Sequence, residues 1–185
     1  MKNIFTFGKK IPNLKINGKS ADYPVLNERD ARAGAGIMLV TGIFGFTQAY
    51  FLQNTLAIQI LVILFTIEFI LRVINPHIAP FYALGRLIVS KQQPEWVGAT
   101  QKRFAWSLGL GLAIVMNIVI FGFEITYGIL PLSICGICLL LMWFESAFGI
   151  CLGCKMYYGL MSVGLIAKPA QMPACPGGVC EIPKR

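Results

Sequence analysis

The sequence predicts an all-α membrane protein whose four transmembrane helices form two antiparallel hairpins. Of its 185 residues, 56% are hydrophobic and only 13% are charged, and the mean hydropathy is +0.69. A soluble core of this size cannot bury so much apolar side chain, so lipid must be the solvent for most of it. Four apolar stretches each approach the ~20 residues that a helix needs to cross the hydrocarbon while satisfying its own backbone.

Composition divides the chain into three parts. Residues 1–32 form a basic arm that we expect to be mostly irregular, with Asn27 as the cap of a helix leading into the membrane. Residues 33–166 form the four-helix membrane domain, and residues 167–185 form a tail that contains cysteines. The predicted spans are 33–51, 56–74, 104–123 and 129–151.

The lengths of the connections predict the two hairpins. Only a few residues around Gln53 and Asn54 separate the first two spans, and a similarly short link separates the last two. The central loop, about residues 76–102, is long. Its segment 80–90 is typical of an interfacial helix, with Arg86 facing water.

The distribution of basic residues predicts the orientation. Lys and Arg are concentrated in the arm, the central loop and the tail, whereas the two short links contain none. We therefore expect a multi-pass protein of the bacterial inner (plasma) membrane with both termini and the central loop in the cytoplasm. The same distribution accounts for the net charge of +8, and no aromatic residues alternate with the basic ones, so we expect no nucleic-acid partner.

The cysteines are the main functional clue. The six cysteines form three close pairs, namely Cys135/Cys138, Cys151/Cys154 and Cys175/Cys180. Paired thiols can form disulfides, pass sulfur or electrons, or bind a metal. The last two pairs are predicted to face the cytosol, where thiols are kept reduced, so stable structural disulfides are not expected there. The first pair is expected to be two small apolar residues packed within a helix.

We expect the fourth helix to be continuous, and this determines the predicted environment of the second cysteine pair. Cys151 and Cys154 would lie at its carboxyl end, where the helix dipole disfavours a thiolate, and Lys155 is the nearest cation. Gly149 and Gly153 favour a bend or a close helix approach there. If the helix stays straight, these two cysteines point away from the face that carries Glu145.

Ionisable residues within the spans give further hypotheses. Glu68 and Arg72 are four residues apart, which predicts a structural intrahelical ion pair. Glu145 has no basic neighbour in the sequence, and an ionisable group in lipid is costly enough to imply a role. We expect it to carry a proton for thiol chemistry or to pair with Arg72, Arg86 or Arg103.

Several short motifs carry a family resemblance. They are Asn27-Glu28-Arg29, residues 76–86, Lys102-Arg103-Phe104-Ala105, and Glu145 followed by Phe148-Gly149-x-Cys151-x-Gly153-Cys154 and Tyr157. On these residues the chain resembles the bacterial domain-of-unknown-function 4395 membrane family over about residues 25–158. The resemblance implies a small four-helix membrane protein in which the Cys151/Cys154 pair is a family feature. It also implies a link to thioredoxin- or rhodanese-type sulfur proteins.

The leading hypothesis is an integral membrane thiol protein that handles redox equivalents or sulfane sulfur at the cytoplasmic face. The tail pair would exchange with the helix-end pair or with a thioredoxin- or rhodanese-like partner. This chemistry requires no cofactor. The residues assigned to it are Cys151, Cys154, Cys175, Cys180 and Glu145.

Two alternatives remain open. The four cysteines occur as a C-x2-C pair and a C-x4-C pair, with twenty residues between the pairs. This spacing is compatible with binding of zinc, copper or an iron–sulfur cluster. The ligands would be Cys151, Cys154, Cys175 and Cys180. The other alternative is a transporter of a small sulfur compound or ion, for which four helices would require a homo-oligomer. Its path would be lined by Gln59, Glu68, Asn117 and Glu145.

Overall fold

Helices account for most of the regular structure in the computed structural model, which describes residues 7–16, 18–169 and 171–175. Within these residues the helices are α1 Glu28–Tyr50, α2 Thr55–Ile74, α3 Pro80–Ile88, α4 Ala99–Asn117, α5 Ile129–Trp143 and α6 Leu152–Ser162. α4 continues into a π-helical turn at Ile118–Gly122, and α5 continues into another at Phe144–Phe148. A short 3-10 turn, Pro76–Ile78, precedes α3.

Four helices are long and apolar enough to cross a membrane, which confirms the predicted helical membrane character. They are Glu28–Tyr50, Thr55–Ile74, Ala99–Gly122 and Ile129–Phe148. Large apolar side chains such as Phe44, Ile60 and Leu130 are exposed on the outside of this bundle. Such a surface is suited to lipid rather than to water.

Two helices begin about one turn before the predicted spans. α1 begins at Glu28 because the Asn27 side chain caps it, accepting the Arg29 N–H at 3.3 Å, as the sequence predicted. α4 begins at Ala99 rather than at residue 104, because the chain enters it directly from a paired strand. The charged first turns of both helices therefore lie inside the bundle.

Short strands in the amino-terminal arm and directly before α4 were not predicted. Their bounds are β1 Lys15–Ile16, β2 Lys19–Ser20, β3 Val25–Asn27 and β4 Trp96–Gly98. β1 pairs with β2, and β3 pairs antiparallel with β4 with Leu26 opposite Val97. The second ladder joins the start of α1 to the start of α4, which places their first turns side by side.

The helix α3 packs directly against α1. A Cβ at Gly85 would lie 2.4 Å from the backbone nitrogen of Gly34, so two glycines permit the contact. Tyr82 is buried on the same side of α3. The central connection is therefore part of the folded core rather than a loose loop.

A buried ion pair holds α3 in place. Arg72 Nε lies 2.8 Å from Glu68 Oε1, as the sequence predicted, and both side chains are buried. The Glu68 carboxylate also accepts the N–H groups of Phe81 and Tyr82, each at 3.0 Å, and so caps the amino end of α3. The Arg72 guanidinium lies over the Tyr82 and Trp106 rings. These contacts give the pair a structural role.

We expect Glu68→Gln to lower the free energy of unfolding by about 3–5 kcal/mol, because it leaves Arg72 as a buried charge without its partner. Thermal unfolding in detergent micelles measures the change. Glu124→Gln, at an exposed loop position, is the matched control and should cause no measurable change. Equal stability of the two variants would contradict the role assigned to Glu68.

Candidate functional site

The fourth span ends in a sharp break instead of continuing to residue 151. Gly149 adopts a left-handed conformation with φ 66°, which ends the π-helical turn. Arg32 of α1 donates hydrogen bonds to the carbonyls of Ser146 and Ala147, at 3.4 and 3.3 Å. The Arg32 side chain thus donates to carbonyl groups that have no partner within the helix. Its positive charge also interacts favourably with the negative end of the helix dipole.

The break changes the environment of the second cysteine pair. Cys151 is the N-cap of α6, and its sulfur accepts the backbone N–H of Cys154 at 3.3 Å. The expectation that Cys151 and Cys154 lie at a carboxyl-terminal helix end is therefore wrong. An amino-terminal helix end favours negative charge, so the dipole stabilises a thiolate at Cys151.

The two sulfurs of this α6 thiol pair, Cys151 and Cys154, are in direct contact. Cys154 Sγ donates to Cys151 Sγ at 2.7 Å, not far from the roughly 2.05 Å of a disulfide bond. Cys151 is 6% exposed and Cys154 is 0% exposed. The hydrogen bond to Cys151 and burial both raise the pKa of Cys154 above its ordinary value. Cys154 therefore keeps its proton more readily than an ordinary cysteine thiol.

A buried charged cluster of Glu28, Lys102 and Glu145 lies beside this pair. Lys102 Nζ is 2.8 Å from Glu28 Oε2 and 2.8 Å from Glu145 Oε1, and its side chain is fully buried. The partner of Glu145 is thus Lys102, which corrects the sequence-based expectation. That expectation named Arg72, Arg86 and Arg103. It failed because residues 99–103 were assigned to a loop, whereas they form the inward-facing first turn of α4.

The charged cluster is electrostatically coupled to the thiols. The positive charge of Lys102 lowers the pKa of Cys154. The hydrogen bond to Cys151 and burial raise this pKa by more. Lys102 therefore supplies the positive charge near the sulfurs that was predicted for Lys155, which is exposed. Two carboxylates share one ammonium, so the cluster has a net charge of −1 unless it binds a proton.

Residues 171–175 of the tail are anchored at the same end of the bundle. The Ala174 carbonyl accepts from Gln101 Nε2 at 2.6 Å, and the Ala174 N–H donates to the Tyr23 hydroxyl at 2.8 Å. Tyr158 donates to the Pro173 carbonyl. Burial raises the pKa of Tyr158, so the hydroxyl remains a donor.

This anchoring places Cys175 against α6, the helix that also carries Cys154. Cys175 packs against the buried cluster of Tyr157, Tyr158 and Met161 on α6, which begins one turn after Cys154. The tail is thus on the same side of the bundle as the α6 thiol pair. Cys175 is disulfide-bonded, so the expectation that the tail cysteines form no stable disulfide is wrong for this residue. The second tail cysteine, Cys180, lies outside the described residues.

A cavity of about 500 Å³ connects the remaining cysteines to this site. It lies among α1, α2, α4, α5 and α6, and its walls are mostly apolar. Cys135 and Cys138 line the part formed by α5, and Glu145 and Cys151 line the part nearest α6. Of the four polar residues suggested for a transport path, Glu145 lines this cavity, and Gln59, Glu68 and Asn117 do not.

A protein-family profile described as Domain of unknown function (DUF4395) matches residues 26–162. The chain belongs to this family. No curated protein and no solved structure gives a match. The residues matched to DUF4395 include the charged cluster and the α6 thiol pair, and they end before the tail cysteines.

Three residues of this DUF4395 site were not assigned to it from the sequence, namely Glu28, Arg32 and Lys102. The signal that could have indicated them is a charged residue in the first turn of each of two apolar helices. Such residues resemble ordinary membrane-flanking charges. Their burial depends on the β3–β4 ladder and on the position of α5, which sequence periodicity does not show.

The metal-binding alternative stays a prediction. Residues 7–16, 18–169 and 171–175 contain no group of three or more His, Cys, Asp or Glu residues placed to bind a metal ion. The proposed set of four thiolates includes Cys180, which is not among these residues.

We expect Gly149→Ala to destabilise the protein by about 1–2 kcal/mol, because a side chain at positive φ is strained. A Cβ there would also lie 3.0 Å from the Arg32 guanidinium. Gly159→Ala is the matched control within α6, where a Cβ meets no atom within 4 Å, and it should stabilise by roughly 0.5–1 kcal/mol. Chemical unfolding in detergent gives both values, and destabilisation by both variants would exclude the strain argument.

We expect Lys102→Met to lower the free energy of unfolding by about 3–5 kcal/mol, because it leaves two carboxylates buried together without a cation. Adding Glu145→Gln should restore part of this loss. Lys155→Met is the control and should not change the unfolding transition. A larger effect at Lys155 than at Lys102 would show that the wrong cation has been identified.

Proposed function

We propose that this protein is a membrane thiol–disulfide exchange protein that passes redox equivalents or sulfane sulfur through Cys151 and Cys154. One observation supports this most strongly. The Cys151 sulfur caps a helix, accepts two hydrogen bonds from Cys154, and lies beside a buried charged cluster. Helix amino ends and nearby cations are the features that activate cysteines.

In this proposal Cys151 is the attacking sulfur and Cys154 the resolving one. The Cys151 thiolate attacks a partner disulfide, forming a mixed disulfide and releasing one partner thiolate. Cys154 then loses its proton to the charged cluster and attacks the Cys151 sulfur. The Cys151–Cys154 disulfide forms, and the second partner thiolate leaves, so two electrons pass to the partner. The steps are reversible, so a dithiol partner can instead reduce the pair.

The same two sulfurs can process a persulfide. The Cys151 thiolate takes the sulfane sulfur from a partner persulfide and leaves a partner thiolate. Cys154 then attacks the Cys151 sulfur, the disulfide forms, and the sulfane sulfur leaves as hydrogen sulfide. Both reactions pass through a covalent intermediate on Cys151, which makes this residue the decisive one to test.

We propose that the site faces the cytoplasm of a bacterium, in an inner-membrane bundle of two antiparallel hairpins. The Lys and Arg bias supports this orientation. Thr55 and Tyr127 are hydrogen-bonded at 3.1 Å, which brings the two short links together at the end remote from the charged cluster. Leu87 and Ile88 of α3 are 66% and 70% exposed, which supports an interfacial position for this helix.

A soluble thioredoxin- or rhodanese-like protein is the proposed exchange partner. Cys175 lies beside α6 and Tyr158, so a partner that contacts the tail would be brought close to the α6 thiol pair. The anchored segment 171–175 supports a docking role for this part of the tail rather than free shuttling. Cys175 and Cys180 would then exchange with the same partner.

We expect Cys154→Ser to accumulate a mixed disulfide between Cys151 and its partner, because the resolving sulfur is absent. Non-reducing electrophoresis and mass spectrometry of protein from native membranes identify the adduct. Cys151→Ser should abolish it, and Cys138→Ser, a CxxC cysteine in α5, is the matched control. Absence of any Cys151 adduct, disulfide or persulfide, in the Cys154→Ser protein would refute the proposed function.

A further inference from the structure

The cavity provides access to the α6 thiol pair from within the bundle. Cys151 is one of the cavity-lining residues, whereas Cys154 is not. Of the side chains that line the cavity, Val115 and Met156 also reach the outer surface of the bundle, where they are about half exposed. Because α4 and α5 are surrounded by lipid in the proposed orientation, a molecule dissolved in the membrane can reach the attacking sulfur by this route.

The walls of the cavity are suited to a flat apolar ligand. Phe46, Phe65, Phe69 and Trp106 contribute aromatic side chains, and about 500 Å³ is within the range of small-molecule sites. Aromatic walls favour an aromatic or quinonoid ring by offset or edge contacts. An acyl chain would gain no comparable benefit from them.

Two polar groups lie on this otherwise apolar wall. Cys151 lines the part of the cavity nearest α6. Glu145 also lines the cavity, and its side chain is 16% exposed. The cavity therefore combines aromatic walls with a carboxyl group and a cysteine side chain.

We propose that this cavity binds a lipid-soluble quinone, which accepts electrons from the α6 thiol pair. This inference depends on the proposed thiol function and names the membrane-side substrate of the same site. The quinone ring matches the aromatic walls. The quinone reaches Cys151 from the lipid, and the soluble partner approaches from the tail side.

The reaction balances with the quinone as the oxidant. The Cys151 thiolate adds to the quinone ring, and the one oxygen that becomes an enolate is protonated by way of the charged cluster. Cys154 then gives up its proton and attacks the Cys151 sulfur, the bond between sulfur and ring breaks, and its electron pair stays with the ring. The second oxygen, which becomes a phenolate in this step, takes the proton from Cys154. Two S–H bonds are lost, one S–S bond forms, and the quinone becomes a hydroquinone with two electrons and two protons.

The test uses the reduced full-length protein in lipid nanodiscs with decylubiquinone as the probe. Ultraviolet absorbance follows hydroquinone formation, and differential alkylation with mass spectrometry follows the Cys151–Cys154 disulfide. We expect one hydroquinone per disulfide formed. Gly111→Leu should slow this reaction by at least about tenfold, because it adds bulk to a cavity-lining position.

Gly136→Leu is the matched control and should react like the unmodified protein. Both glycines are helical and exposed, and a Cβ at either meets no atom within 4 Å, but Gly136 does not line the cavity. Diamide, a water-soluble thiol oxidant, should form the disulfide equally in both variants. This measurement separates a blocked cavity from a damaged thiol pair.

The outcomes distinguish the two proposals. If diamide forms the disulfide but decylubiquinone does not, or if Gly111→Leu and Gly136→Leu react with the quinone at equal rates, the quinone inference is overturned and the thiol function stands. The inference is also overturned if native mass spectrometry finds phospholipid in the cavity that decylubiquinone does not displace. If neither oxidant forms a Cys151–Cys154 disulfide, the thiol function fails as well.

Discussion

The arrangement of this bundle depends on the ammonium group of Lys102, which is buried between the carboxylates of Glu28 and Glu145. Desolvating such charges is expensive, and the cost is offset only when all partners are in position. The ion pairs therefore join the start of α1, the start of α4 and the end of α5 at one point. Any other relative position of these helices would leave a charge unpaired in a low-dielectric interior.

The second buried pair extends the same constraint to α2 and α3. Glu68 binds Arg72 and also caps α3, so the central connection is fixed to the bundle by hydrogen bonds to a charged group. Charge-assisted hydrogen bonds of this kind are stronger than neutral ones. The two ionic clusters together fix the relative positions of the helices at the end of the bundle near the thiols.

The break at Gly149 links the scaffold to the chemistry. A continuous helix would place the α6 thiol pair on a different face from Glu145 and at the unfavourable end of a dipole. By ending one helix and starting another, the chain places Cys151 at a favourable helix end and on the wall of the central cavity. Arg32 supports the break from a separate helix, so the site is assembled from four elements although the two cysteines are only three residues apart.

Local features of the sequence were sufficient to predict the helical membrane class, the Asn27 cap, the Glu68–Arg72 pair and the family to which the chain belongs, because each depends on hydropathy, short spacing or a family motif. The partner of Glu145, the role of Lys102 and the dipole at Cys151 were decided only by tertiary structure. These features depend on residues more than forty positions apart and on a single left-handed glycine. Hydropathy cannot distinguish a buried first-turn charge from one that flanks the membrane, since the two differ only in what the rest of the bundle places against them.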